Sequence, residues 1–165
     1  VDEPRQQLEV RALGEDERDW LAAQLTASWG STTIVSRGRV RDAAGLDAIV
    51  CSKGAEIVGV ATFEQSGEEF ELVTLEALEP AAGVGSALLA AAVTEARQRG
   101  CARLWLVTTN DNVEAMHFYQ RRGLRIVAIH INSIDAARAL KPQIPERGRH
   151  GIPIRDEIEL AVALR

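Results

Sequence analysis

The stretch LEALEPAAGVGSALL, residues 75–89, decides how the rest of the chain is read. It joins a β-leaning run over 70–78, through a tight Ala/Gly turn at 81–85, to an amphipathic run over 86–100. In the last run Leu88, Leu89, Ala92, Val93 and Ala96 recur at helical spacing, with Glu95, Arg97, Gln98 and Arg99 on the other side. A strand, a glycine turn and a helix in succession leave the first backbone N–H groups of the helix without partners. Gly83 and Gly85 carry no Cβ, so a phosphate oxygen can approach those donors closely, and Ser86 adds a hydroxyl. The arrangement predicts a pyrophosphate cradle. A Gly-x-Gly pair also suits a loop that only turns tightly and packs a helix on a sheet, and the pair alone does not choose. Two phosphate motifs are excluded. Position 88, where a dinucleotide fingerprint has its third glycine, is Leu88, and no Gly-Lys-Ser/Thr follows as in a P-loop.

The composition bounds the rest. A chain of 165 residues can bury one sizeable core and is short for two, so residues 1–165 are read as a single domain. Hydrophobic residues make up 46% and charged residues 26%, ordinary for a soluble globular protein. The net charge of −5 and a pI near 5.3 argue against general binding to nucleic acid or an anionic membrane and lean toward a cationic substrate. Cys51 and Cys101 sit far apart, in or beside apolar runs, and read as buried free thiols of a reducing, cytoplasmic setting. His117, His130 and His150 share no metal-ligand spacing, so no metal is expected. No run approaches a membrane span in length and no leader is visible, although the chain begins at Val1.

Read in order, residues 7–13 alternate apolar and polar as a first strand, and Gly14 ends it. Glu15, Asp16 and Glu17 open a helix, acids in the favoured first turn, that carries Trp20, Leu21, Leu25 and Trp29 toward a core and closes at Gly30. Residues 34–46 fit either a short strand or an irregular loop with a helical turn. Their basic SRGRVRD segment would face solvent or a ligand. Strands follow at 47–52 and 56–64, with Lys53 and Gly54 as the turn, and Ser66-Gly67 breaks the chain before the strand at Phe70. After the central helix and Gly100 comes an apolar strand over 102–108, parallel to the one at Phe70 because a helix crosses between them. Asp111-Asn112 caps a helix over 113–122, Gly123 ends it, and a strand over 124–131 and a short helix over 133–140 follow. Residues 141–153 hold three of the five prolines and read as a long loop before a final strand over 155–164. The fold class is mixed α/β: a mostly antiparallel central sheet with one βαβ crossover and flanking helices.

A second informative segment is Asn112-x-x-Ala115-x-x-Phe118-Tyr119-x-x-x-Gly123-Leu124. On a helix Ala115, Phe118 and Tyr119 share a face, which by itself suits core aromatics and a C-capping glycine. Together the two segments, with an antiparallel meander before them and one strand between them, resemble the GCN5-related N-acetyltransferase (GNAT) superfamily. The resemblance covers about residues 8–164 and is strongest over 75–127. It implies an acyl-CoA N-acyltransferase fold and acetyl-CoA as cosubstrate. The pyrophosphate would rest on the N–H groups of Ala82, Gly83, Val84, Gly85 and Ser86. The pantetheine arm would lie in a gap between the strands at 70–78 and 102–108, against the backbone of Leu75, Ala77 and Leu78. Asn112 matches the family asparagine that bonds the cofactor arm, and Tyr119 the tyrosine beside the thioester sulfur. One position departs: the family's usual Arg or Gln, three residues before the first glycine, is here Pro80, so that side-chain contact is expected to be missing.

Acetyl transfer to an amine needs a base for the ammonium, a donor for the developing oxyanion and a proton for the departing thiolate. Tyr119 is the candidate acid and Glu76, near the end of the central strand, the candidate base, directly or through a water. Glu71, Asp156 and Glu157 compete for the base role, His117 reads as a surface residue, and His130 and the loop with His150 are candidates to shape an acceptor pocket. The expected activity is acetyl transfer from acetyl-CoA to a primary amine of a small molecule, by direct attack in a ternary complex, since neither cysteine lies in an activating motif. The alternatives are a non-catalytic acyl-CoA-binding module, an interaction protein whose glycine turn is only structural, and a protein N-terminal or lysine acetyltransferase. Members of the superfamily often form homodimers, which the resemblance extends to this chain.

Overall fold

The apolar runs become strands and helices, and the main sheet keeps their chain order except that β9 lies between β7 and β8. The computed structural model describes residues 7–79 and 82–165; Pro80 and the start of the predicted turn at position 81 lie outside the described residues. The elements are β1 (Leu8–Ala12), α1 (Arg18–Trp29), β2 (Thr33–Ser36), β3 (Arg39–Asp42), β4 (Asp47–Lys53), β5 (Glu56–Ser66), β6 (Glu69–Ala77) and α2 (Val84–Gln98). They continue with β7 (Arg103–Thr109), α3 (Val113–Arg121), β8 (Arg125–His130), α4 (Ser133–Leu140) and β9 (Glu157–Ala163). Seven strands form one sheet in the order β1-β4-β5-β6-β7-β9-β8, antiparallel throughout except where β6 meets β7. The βαβ unit β6-α2-β7 therefore sits in the middle, as the helix between two apolar strands requires.

The two faces of the sheet bury separate cores. On one, α2 sends Val84, Leu88, Leu89, Ala92 and Ala96 against Ile49, Phe63, Phe70, Leu72 and Leu104, with Tyr119 of α3 in the same cluster. On the other, Leu21 and Leu25 of α1 pack on Ala48, Val50 and Val60. The first of these packings depends on Gly59 in β5. A Cβ there would meet Val84 Cγ1, and Leu88 Cδ1 at 2.9 Å. Gly59→Ala is expected to cost about 1–3 kcal/mol, the usual penalty for overpacking, read as a lower urea midpoint at unchanged m-value.

Three expectations change. Residues 34–46 form a β2–β3 hairpin with a 3-10 turn at Ala43–Gly45, tied to the sheet by charge. Its turn residues Arg37 and Gly38 both have positive φ, 49° and 73°, the geometry of a tight hairpin turn that Asn or Asp usually signals. Arg37 adopts it because the sheet holds it: its N–H donates to Glu157 at 3.2 Å, its Nη1 pairs with Glu159 at 3.2 Å, and its guanidinium lies over Trp105. The basic segment thus faces carboxylates, with Arg41 buried on Glu71. Second, the acids at 15–17 form a 3-10 turn before α1, and Trp29, expected in the core, is 44% exposed. Third, the turn after β4 is centred one residue later than read, at Gly54 and Ala55.

Candidate active site

β6 and β7 pair only through Glu69 with Arg103, Phe70 with Leu104 and Glu71 with Trp105. Beyond those pairs β6 runs on to Ala77 and β7 to Thr109 without bonding each other, so a gap opens in the sheet. On its other edge β6 stays paired with β5, and the Leu78 N–H donates to Val58 O at 2.8 Å. The alternation of an antiparallel ladder then turns the N–H and C=O of Leu75 and Ala77 away from β5 and into the gap. Leu78 differs from them, its N–H being spent on β5.

The first turn of α2 stands beside this gap. Gly83 is its N-cap at φ +79°, a left-handed conformation that an L side chain rarely adopts. The first intrahelical bond is Ala87 N–H to Gly83 O at 3.0 Å, which leaves the N–H groups of Val84, Gly85 and Ser86 without intrahelical acceptors. Gly85 is required for contact: a Cβ there would lie 3.2 Å from the Phe118 ring and 3.8 Å from Leu75 Cδ2. Ala82 and Gly83 are exposed, and the Ser86 hydroxyl accepts hydrogen bonds from Arg122 Nε and Nη2 at 3.0 and 2.7 Å. Free donors, small residues and a nearby cation suit a diphosphate.

α3 brings the second segment to the same place. Asn112 caps it, its Oδ1 accepting from Ala115 N–H at 3.2 Å, so the side-chain amide N–H groups remain its free donors among the described residues. Tyr119 follows two turns later, buried against the α2 core, edge-on to Phe118 at 5.1 Å between centroids. Its hydroxyl makes no hydrogen bond within the described residues, and burial pushes its pKa up to about 12. Glu76 projects to the opposite face of the sheet. Gln24 Nε2, at 3.2 Å, and Ser28 Oγ of α1 donate to its Oε1, while its Oε2 is buried without a partner among the described residues. The phenol thus lies on the α2–α3 side of the sheet and the carboxylate on the α1 side.

A cavity of about 330 Å³ continues from the gap. Val73, Thr74, Val107 and Asn112 line its inner wall, and Trp29, Ile34, Ile144 and Pro145 its outer one. Neither Tyr119 nor Glu76 lines it; Glu76 reaches it through Ser28, which does. Lys141, also on the wall, joins the loop to the hairpin by donating to Thr33 O at 2.8 Å and Trp29 O at 3.2 Å, and its burial lowers its pKa. Of the competing carboxylates, Glu157 lines the cavity while accepting from Arg37 N–H, Glu71 is spent on Arg41 and Ser36, and Asp156 accepts from Asn132 N–H at 2.8 Å. His130 meets Glu159 at 3.3 Å, His150 pairs with Glu114, and His117 is exposed. Gln24, Ser28, Lys141 and Arg122 carried no sequence signal: each matters through a partner remote in the chain. Among the described residues no cluster of three His, Cys, Asp or Glu could hold a metal, and no helix is long and apolar enough to cross a membrane.

Comparison with known proteins bears on the same region. The Acetyltransferase (GNAT) family matches residues 13–124. The chain is 37% identical over 131 residues to the uncharacterized protein YdhI of Bacillus subtilis (strain 168), covering 79% of this chain and 82% of that one. In fold it resembles a Bacillus subtilis acetyltransferase solved in complex with CoA, at TM-score 0.71 and 19% identity over 96% of this chain and 100% of the other. A GNAT family acetyltransferase from Elizabethkingia anophelis with acetyl-CoA bound gives TM-score 0.68 at 20% identity, covering 94% and 97%. The family match takes in the splayed strands, the open first turn of α2 and the capped α3, and this chain belongs to the GNAT family of acetyltransferases.

Proposed function

We propose that this protein transfers the acetyl group of acetyl-CoA to a primary amine of a small molecule, the amine attacking directly in a ternary complex. The observation that carries the reading is the gap between β6 and β7, opening beside a helix N-terminus with three free N–H groups. A diphosphate would rest on Val84, Gly85 and Ser86 with Ala82 and Gly83 at its edge. An amide-bearing arm would pair with Leu75 and Ala77, with Asn112 as a side-chain donor. Bound there, acetyl-CoA supplies the acyl group as an activated thioester.

The protein's own groups do the rest. An aliphatic amine has a pKa of about 10.4 and arrives as an ammonium, so a base must take its proton. Glu76 has an unspent buried oxygen for that task, directly or through a water. A backbone N–H of β6 turned into the gap can stabilise the oxyanion, and Tyr119, protonated at neutral pH, holds the proton for the departing sulfur. Direct attack is supported by the cysteines: both are buried, and burial raises the pKa of Cys51 and of Cys101, disfavouring a thiolate nucleophile. A small acceptor is supported by the cavity, whose volume is at the lower end for small-molecule sites and whose outer wall is formed by the end of α1, the hairpin and the loop after α4. Glu157 on that wall suits a cationic amine.

Thermal unfolding tests the reading. Acetyl-CoA at about a hundred times its Kd is expected to add about 2.7 kcal/mol, a rise of roughly 5–10 °C in Tm for a domain of this size, with NAD giving none. No rise at saturating acetyl-CoA would remove the cosubstrate and the function built on it.

A further inference from the structure

Arg122 is an arginine without a carboxylate. The guanidinium groups of Arg41, Arg99, Arg103 and Arg138 pair with Glu71, Asp47, Glu69 and Asp135, whereas Arg122, like several other exposed arginines, makes no ion pair among the described residues. Just past α3, it lies instead against the first turn of α2. That end of a helix is positive, while the C-terminal end of α3, which Arg122 caps, is negative, so the guanidinium stands between two helix termini. The group is held firmly. Nε and Nη2 donate to Ser86 Oγ at 3.0 and 2.7 Å, Nη1 donates to Phe118 O at 3.0 Å, and Cζ lies over the Phe118 ring, 3.8 Å from its centroid. Of its five N–H donors three are spent, leaving one on each of Nη1 and Nη2 for an anion.

We propose that Arg122 is a cationic ligand of the cosubstrate's diphosphate, delivered from α3 to the turn whose N–H groups take the same anion. The assignment rests on the reading of that turn as the acetyl-CoA site. It makes Ser86 a relay: its hydroxyl accepts from the guanidinium while its backbone N–H, free of the helix, points at the phosphate. Phe118 becomes the platform that fixes the guanidinium, and Gly85 is small because that platform lies over it.

The test measures Kd by calorimetry for CoA and 3′-dephospho-CoA, and by NMR titration for S-acetylpantetheine, in the wild type, Arg122→Leu and Arg122→Lys. Arg122→Leu is expected to weaken both nucleotides about ten- to hundredfold, the scale of a charge-assisted hydrogen bond, and to flatten the salt dependence of binding. Lys is expected to fall between. S-acetylpantetheine, which has no diphosphate, is expected to bind all three alike, and the unliganded Tm to stay level or rise. Equal CoA affinity in wild type and Arg122→Leu would overturn the assignment. So would equal weakening of S-acetylpantetheine, which would make Arg122 a prop for Phe118, and so would a penalty confined to CoA, which would move its contact to the 3′-phosphate. A wild type that binds no CoA overturns the proposed function, and this assignment with it.

Discussion

Replacing Tyr119 by Phe is expected to lower kcat by about 10²- to 10⁴-fold, the range of a lost general acid, with CoA affinity and stability at neutral pH unchanged. The substitution is unusually clean here. The hydroxyl has no hydrogen-bond partner among the described residues, so its removal orphans nothing, and the ring keeps its edge contact with Phe118 and its place in the α2 core. Burial lifts the phenol from 10.0 to about 12, so the deficit is expected to be flat from neutral pH to about 10, where both forms of the enzyme are uncharged at this position. Stability follows with a definite sign. A pKa raised in the folded state contributes stability that is full below 10 and lost as pH climbs through 12, and Tyr119→Phe is expected to lack that alkaline loss. Turnover with acetyl-CoA and urea melts on both sides of that window measure the two effects. An unchanged kcat would leave Tyr119 a packing residue.

Glu76→Gln is expected to reduce kcat/KM by about 10²-fold or more near neutral pH, and by less as the pH approaches that of a free amine, about 10.4. The narrowing is the diagnostic part, because an acceptor that arrives already neutral needs no base. The amide can keep the bonds from Gln24 and Ser28 to its oxygen and place its NH₂ where Oε2 now sits without a partner, so the unliganded Tm is expected to hold. A pH-independent deficit would instead make Glu76 a group that orients the acceptor, and no deficit would pass the role to Glu157, the carboxylate already on the cavity wall.

Local grammar made the fold legible. Alternation placed β1, runs bounded by turn residues placed β4 and β5, glycine placed the ends of α1 and α3, and Asn112 announced the cap it forms. The glycine turn was readable for the same reason, since positive φ at Gly83 and a missing Cβ at Gly85 are properties of single residues. The β2–β3 hairpin was not readable, because its turn is held by Glu157 and Glu159, more than a hundred positions away, against the preference of Arg37 itself. The site divides along the same line. Leu75 and Ala77 are named through the family resemblance, whereas the grip of α1 on Glu76 and of Arg122 on Ser86 comes from tertiary geometry alone. Pro80 carries no side-chain donor, and no local pattern announces that a guanidinium reaches that turn from another helix.

The gap between β6 and β7 has a bearing on how such a protein changes its trade. Everything proposed to handle the acetyl donor comes from one contiguous block, residues 75–122, while the outer wall of the cavity comes from two distant pieces, the end of α1 with β2 and the loop after α4. Those pieces meet through Lys141, and the hairpin is moored to the sheet by ion pairs, Arg41 with Glu71 and Arg37 with Glu159. A lineage can therefore redraft its choice of acceptor by editing the two peripheral pieces and leave the donor block untouched. Grafting the β2–β3 hairpin and the 141–153 loop of a relative onto this chain would exchange the customer and keep the workshop.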